Sequence, residues 1–451
     1  MKQGQERSYG SDQQQKRLIG QAAFWKRVRS LPYGKLTDGI IVGAIGGGAA
    51  ILFRFLLHQV SSRGQQMYSL LRANSLLLAP ALVVVIGFGL LAGWLVEKAP
   101  LSSGSGIPQV VGILQGDLKT RPWPILVSKY VGGLASNLIG MSLGREGPSI
   151  QLGAEGAQLY AGLRQLPRSR RHMLMVAGAA AGLSAAFNAP LAAVVFTVEE
   201  LRKEFREKEL PIIAVASLTA DFLSKMAFGW QPSFIFAAVP KLGRLPMRFL
   251  IGLPILALLC GVLGCLFNIV LVSMQNAWKK QVSKARLRVT LAFVAAFGSI
   301  LIWPPLFGNG APFLLGEGVL TGEAHLLVLL LIGRLLFTCF CYGSSTPGGI
   351  FLPTLVLGGM AGAIFAGGLG QVLTVDTEQT VLFIIIGMAA MLAAVTRSLM
   401  TAILLVLEMT QCYDCLLPLA IAALIAFLCA EFLGVAPIYE TLLSKIIKKN
   451  Q

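Results

Sequence analysis

The sequence predicts an all-α integral membrane protein, an inverted-repeat bundle of many tilted and broken helices. Three observations carry that expectation. Of 451 residues, 55% are hydrophobic and only 13% charged, against about 25% charged in soluble domains. Apolar runs long enough to approach or cross a hydrocarbon core of about 30 Å recur along the chain. An internal repeat keeps its glycine and proline punctuation in register.

In chain order the apolar runs lie near 37–57, 76–97, 123–143, 173–198, 209–228, 247–275, 288–306, 325–343, 353–373, 380–407 and 415–435. Several are too long or too short for a simple perpendicular span. Glycine and proline interrupt them, as in Gly144 to Pro148 and Pro347 to Pro353. Irregular backbone at membrane depth persists only where protein or a water-filled cavity satisfies its freed polar groups. The breaks therefore mark a pathway.

The net charge of +17 is distributed as short basic clusters between apolar runs: Arg164/Arg168/Arg170/Arg171, Arg202/Lys203/Arg206/Lys208, Lys279/Lys280/Lys284/Arg286/Arg288 and Lys445/Lys448/Lys449. That is the cytoplasmic-loop bias of a polytopic protein rather than a nucleic-acid footprint, and it places both termini in the cytoplasm. Residues 1–35 read as a cytoplasmic polar and basic segment whose lack of an apolar core excludes a cleavable signal peptide. Residues 36–446 read as one transmembrane domain with repeat halves near 36–206 and 209–436, followed by a short tail at 447–451. Seven cysteines, an odd number, give no disulfide framework. The lone Cys412-x-x-Cys415 reads as ordinary membrane packing, and three histidines without ligand spacing imply no metal.

The stretch Gly178–Glu200 aligns without gaps on Gly387–Met409 at an offset of 209, with identities at Gly178/Gly387, Leu183/Leu392 and Glu199/Glu408 among others. Upstream, the ten residues from Gly144 align on the ten from Gly349 at an offset of 205, matching Gly144/Gly349, Pro148/Pro353 and Gly153/Gly358. Transporters built from such repeats place the substrate where broken helices meet near the midplane.

Three segments carry glycine next to proline at a helix start: Gly104-Ser105-Gly106-Ile107-Pro108, Gly144-Arg145-Glu146-Gly147-Pro148, and Gly348-Gly349-Ile350-Phe351-Leu352-Pro353. Proline suits the first helical turn, and the N–H groups left free there, with the positive end of the helix dipole, attract anions. Three such starts favour an anion as cargo. Ser105 supplies a hydroxyl donor without a full charge, so it can hold a halide and still release it. The backbone N–H groups of Ile350 and Phe351 donate from the second repeat. Glu146 competes with the anion for the same N–H groups and is a candidate gate, which protonation would release.

In that order, GSGIP, GREGP and GGIFLP resemble the three signature motifs of the CLC chloride channel and transporter family, over essentially residues 36 to 446. The resemblance implies a homodimer with one anion pathway per subunit, inverted repeats, and no cofactor beyond the transported chloride. It implies roles for Ser105 as the central chloride-coordinating serine, Glu146 as external gate, Ile350 and Phe351 as amide donors, and Tyr439 as the tyrosine completing the site. Members divide into passive channels and proton-coupled exchangers. The stretch FTVEELR resembles that of exchangers, with Glu200 matching the internal proton-handling glutamate and Glu199 and Glu204 reading as solvated neighbours. Gln109 stands where relatives usually carry glutamate and Val111 where some bacterial exchangers place an acid, so no internal carboxylate partner is expected for Arg145 or Lys129. Lys129, a cation inside an apolar run, is expected to attract anions. The chain stops short of the nucleotide-sensing pair appended to many members, so none is expected. The expected activity is chloride/proton antiport across a bacterial inner membrane, with a passive chloride channel as the alternative. No nucleophile, metal cluster or cofactor loop suggests an enzyme.

Overall fold

The computed structural model describes residues 33–204, 206–236, 247–316, 319, 323–370 and 375–450. The expectations for residues 1–32 lie outside these, whereas Glu204 lies within them, exposed and paired with Arg206 at 2.9 Å. In chain order the helices are α1 (Tyr33–Ala73), α2 (Leu78–Lys98), α3 (Ile107–Gln115), α4 (Pro122–Leu138), α5 (Glu146–Leu163), α6 (Arg168–Phe187), α7 (Pro190–Phe196) and α8 (Leu210–Phe228). They continue with α9 (Met247–Gln281), α10 (Ala285–Ile302), α11 (Ala311–Leu315), α12 (Ala324–Gly343), α13 (Phe351–Leu369), α14 (Thr377–Thr396), α15 (Leu399–Thr410), α16 (Leu416–Phe432) and α17 (Ile438–Asn450). No strand occurs among the described residues, and nine helices there are long and apolar enough to cross a membrane. The chain is a multi-pass membrane protein.

Two runs that read as single apolar stretches are each broken in two. The run at 173–198 divides between α6 and α7 at Asn188 (φ 55°), and the run at 380–407 divides between α14 and α15 at Arg397 (φ 64°). Both break residues adopt the left-handed conformation that stops a helix, and they sit 209 residues apart, as the repeat demands. Pro190 then opens α7. At the C-terminus, α17 continues to Asn450, so the short tail expected from 447 is part of a helix whose basic residues extend it.

The core is formed by α6 and α14, the two repeat mates. Every residue of α6 from Met173 to Phe187 is buried, as is every residue of α14 from Val381 to Thr396. Helices apolar on all faces are the ones that can be enclosed by others. Small residues bring the neighbouring helices in close. A Cβ on Gly153 of α5 would strike the Gly178 carbonyl of α6, and one on Gly358 of α13 would strike the Gly387 carbonyl of α14. These are the pairs matched by the sequence repeat. The two halves meet at an antiparallel bridge in which Gly144 N–H donates to Gly349 O at 2.6 Å and Gly349 N–H to Gly144 O at 2.7 Å. Equivalent residues paired antiparallel relate the two motifs by a local two-fold axis.

Candidate functional site

All three glycine–proline motifs converge. Gly144 and Gly349 hold the starts of α5 and α13 side by side, and Gly348 N–H donates to Gly104 O at 3.0 Å, tying in the turn before α3. Gly104 (φ 63°) and Gly106 (φ 96°) give that turn a left-handed path that residues with a Cβ rarely adopt. Close approach also requires small residues: a Cβ on Gly147 would lie 2.7 Å from Ser105 Cβ. Pro108 falls in the first turn of α3, and Pro148 stands beside Gly349, in the first turn of α5.

Ser105 is buried in this cluster, with Ile107 N–H donating to its Oγ at 3.2 Å. Ile350 immediately precedes α13 and Phe351 is its first residue. Their N–H groups belong to the turn a helix cannot satisfy internally. Tyr439, near the start of α17, is buried with its hydroxyl unpartnered, and that hydroxyl lies within electrostatic reach of Tyr342, Glu146 and Glu200. A belt tyrosine would face the interface; this one faces inward. Tyr342 was not apparent from the sequence. It is buried with its hydroxyl beside Ser105, and a Cβ on Gly104 would lie 3.0 Å from it. Its only signal was a polar tip in the apolar run just before the third motif.

Glu146 is the first residue of α5 and is wholly inaccessible to solvent. The backbone N–H groups of Arg145, Glu146 and Leu352 face its carboxylate, but neither oxygen has a partner in hydrogen-bond geometry. The nearest cation is Arg145 Nε at 3.9 Å. Arg145 itself donates to Ala186 O at 3.3 Å. A cavity of about 530 Å³ opens onto this point, lined by Gly144, Arg145, Pro148, Leu352 and Arg334 among others.

Glu200 lies in a π-helical turn, Thr197–Arg202, that follows α7. π turns often mark functional positions. Its side chain is buried, and Oε2 accepts from Ser398 Oγ at 2.7 Å. The neighbouring cations are engaged elsewhere: Arg202 pairs with Glu209 at 3.0 Å, and Lys203 pairs with Glu440 of α17. Glu199 corrects the sequence reading. It is not a solvated neighbour, because its carboxylate accepts from Met400 N–H at 2.9 Å and from Thr401 N–H and Oγ1 at 2.7 Å each. The partners lie about 200 residues away, beyond the reach of local patterning.

Lys129 is fully buried and donates to Gly104 O at 2.5 Å. Its partner is thus a carbonyl of the Ser105 turn, and among the described residues no carboxylate forms an ion pair with it. Gln109 holds the same segment by donating to Ser103 O at 2.7 Å. No group of metal-ligating side chains occurs among the described residues. Cys412 and Cys415 depart from the packing expectation: the short 3-10 turn between α15 and α16 brings their Cα atoms to 5.5 Å, and the structure joins them as a disulfide.

Residues 88–431 match the family model described as voltage gated chloride channel. The sequence is 36% identical over 433 residues to the H+/Cl− exchange transporter ClcA of Vibrio parahaemolyticus, covering 94% of this chain and 92% of that one. The ClcA of Klebsiella pneumoniae is 32% identical over 93% of this chain and 90% of its own. Among solved structures, a slow cyanobacterial Cl−/H+ antiporter superposes with a TM-score of 0.85 at 31% identity, covering 92% of this chain and 99% of that one. A CLC-type fluoride/proton antiporter shares the fold at a TM-score of 0.76 and 21% identity.

Proposed function

The chain belongs to the voltage gated chloride channel family, and from that premise we propose that it is a secondary antiporter exchanging chloride for protons. The observation that carries this reading over a passive channel is Glu200, a buried carboxylate held by Ser398 and, like the gate residue Glu146, within electrostatic reach of Tyr439. A proton cannot follow chloride through a site lined by donors, because a field that attracts an anion repels a cation. It needs a titratable group of its own, and Glu200 supplies one.

In this scheme chloride is held by Ser105 Oγ–H, the Tyr439 hydroxyl and the N–H groups of Ile350 and Phe351. Neutral donors bind it without the grip of a full charge. Lys129 shapes the Ser105 turn and biases the local field toward anions. Glu146 occupies the N–H groups at the start of α5 until protonation or chloride displaces it. It then carries its proton toward Tyr439 and Glu200, which exchanges it with the cytoplasm. No cofactor or bond-making step is required.

The basic clusters between α5 and α6, between α7 and α8 and between α9 and α10, with that of α17, support a cytoplasmic position for Glu200 and for both termini. The bacterial relatives support the inner membrane. A homodimer with one pathway per subunit is proposed with them, and exposed Leu191, Phe222, Met400 and Leu417 on α7, α8, α15 and α16 are the apolar surface offered for it.

The test is flux in liposomes. With a chloride gradient imposed, the native protein should drive protons uphill. Glu200→Gln should keep chloride transport and lose proton transport. Chloride flux with no uphill proton movement in the native protein would establish the channel instead.

A further inference from the structure

Glu199 and Glu408 are repeat mates, 209 residues apart, and each caps the helix of the other half. Glu199, just past the end of α7, accepts from the N–H groups of Met400 and Thr401 at the start of α15, at 2.9 and 2.7 Å. Glu408, in the last turn of α15, accepts from the N–H groups of Leu191 and Ala192 at the start of α7, at 3.1 and 2.8 Å. Leu191 and Met400, and Ala192 and Thr401, are again 209 apart. The two helices lie antiparallel, each fastened at both ends by a carboxylate on N–H groups that the helix cannot satisfy itself.

The symmetry is broken at one end. Only the Glu199 end carries a hydroxyl, Thr401 Oγ1, as a third donor, where the other repeat has Ala192. Only that end lies next to the proton residue. Ser398, directly before α15, is buried and donates to Glu200 Oε2 at 2.7 Å. Adjacent residues of one π turn thus grip the same helix start, Glu199 through its backbone and Glu200 through Ser398.

We propose that Glu199 is a positioning residue for proton exchange: by capping α15 it fixes Ser398, and Ser398 fixes the carboxylate of Glu200. Glu408 is its structural counterpart at the opposite end and takes no part in proton transfer. This rests on the assignment of Glu200 as the internal proton residue.

Full-length protein in liposomes, with chloride and proton flux recorded together, tests it, and thermal unfolding in detergent is measured beside it. Glu199→Ala should lower the protons moved per chloride at least threefold with chloride flux within about twofold of native. Ser398→Ala, which leaves the cap intact and cuts only the link, should do the same, and Ser398→Thr should restore the ratio. Glu408→Ala removes an equivalent cap, so it should lower the unfolding temperature while leaving the ratio native. A native ratio in Glu199→Ala or in Ser398→Ala overturns the proposal. So does a ratio in Glu408→Ala reduced as far as in Glu199→Ala, since general loosening would then explain both. If Glu199→Ala fails to assemble, Ser398→Ala and Ser398→Thr decide alone. Glu200→Gln, run in parallel, separates the premise: native proton flux in that variant removes the Glu200 assignment itself.

Discussion

Replacing Glu146 by alanine should tighten chloride binding and uncouple transport, and the structure sets the size of the first effect. The carboxylate stands at the first position of α5, an 18-residue helix, with no solvent access. An anion at a helix start is stabilised by about 0.3–1 kcal/mol when exposed and up to about 2 kcal/mol when buried. Burial and Arg145 Nε at 3.9 Å place Glu146 in the upper part of that range, about 1–2 kcal/mol. Chloride must overcome that stabilisation to use the same N–H groups. Deleting the side chain should therefore strengthen chloride binding by about 5- to 30-fold, at 1.4 kcal/mol per factor of ten. Calorimetric titration of the detergent-solubilised protein with chloride measures it. Glu146→Gln keeps the shape and removes the charge, so it should behave as the permanently protonated protein. Chloride flux through native protein should rise as external pH falls and approach the Glu146→Gln level, while both variants lose pH dependence and uphill proton movement. Unchanged chloride affinity in Glu146→Ala, or proton pumping that survives it, would refute the reasoning.

Two further outcomes follow from the same cluster. Lys129→Met removes one of the two donors to Gly104 O and leaves Gly348 N–H as the other, which should cost about 1 kcal/mol of stability; it should also reduce chloride flux, read as a lower unfolding temperature and slower liposome efflux. Ser105→Pro removes a hydroxyl donor from a site where chloride has few, so the native preference for chloride over nitrate should shift toward nitrate in competition flux, and equal coupling of both anions in the unmutated protein would contradict it.

The parts of this molecule legible in its sequence are those where a local requirement leaves a residue signature. Glycine–proline helix starts are such places, and the three motifs converge in the fold. Contacts between distant segments leave no comparable mark. Glu199 looked solvated because its neighbours Arg202 and Lys203 are charged, whereas its partners are backbone groups, which have no identity to read. Lys129 likewise pairs with a carbonyl, and Tyr342 reaches Ser105 only through the fold. The breaks at Asn188 and Arg397 escaped because neither is glycine or proline, so apolar periodicity ran straight across them.

The repeat shows how an approximate alignment can still be structurally strict. Its offset changes from 205 at the motifs to 209 at the core helices, which by itself could be taken for chance similarity. The structure locates the change. The α5–α6 connection spans 164–167 and the α13–α14 connection 370–376, three residues more, while α13 is one residue longer than α5, at 19 against 18. Those four residues fall beyond Gly153 and Gly358 and before Gly178 and Gly387, so neither glycine contact is disturbed. Upstream of them the 205 register is enforced by the Gly144–Gly349 bridge, and downstream the 209 register is enforced by the Glu199 and Glu408 caps. Each register is therefore held by bonds between the halves, at the proposed gate and at the proposed proton entry. The difference in length between the halves falls between those two places.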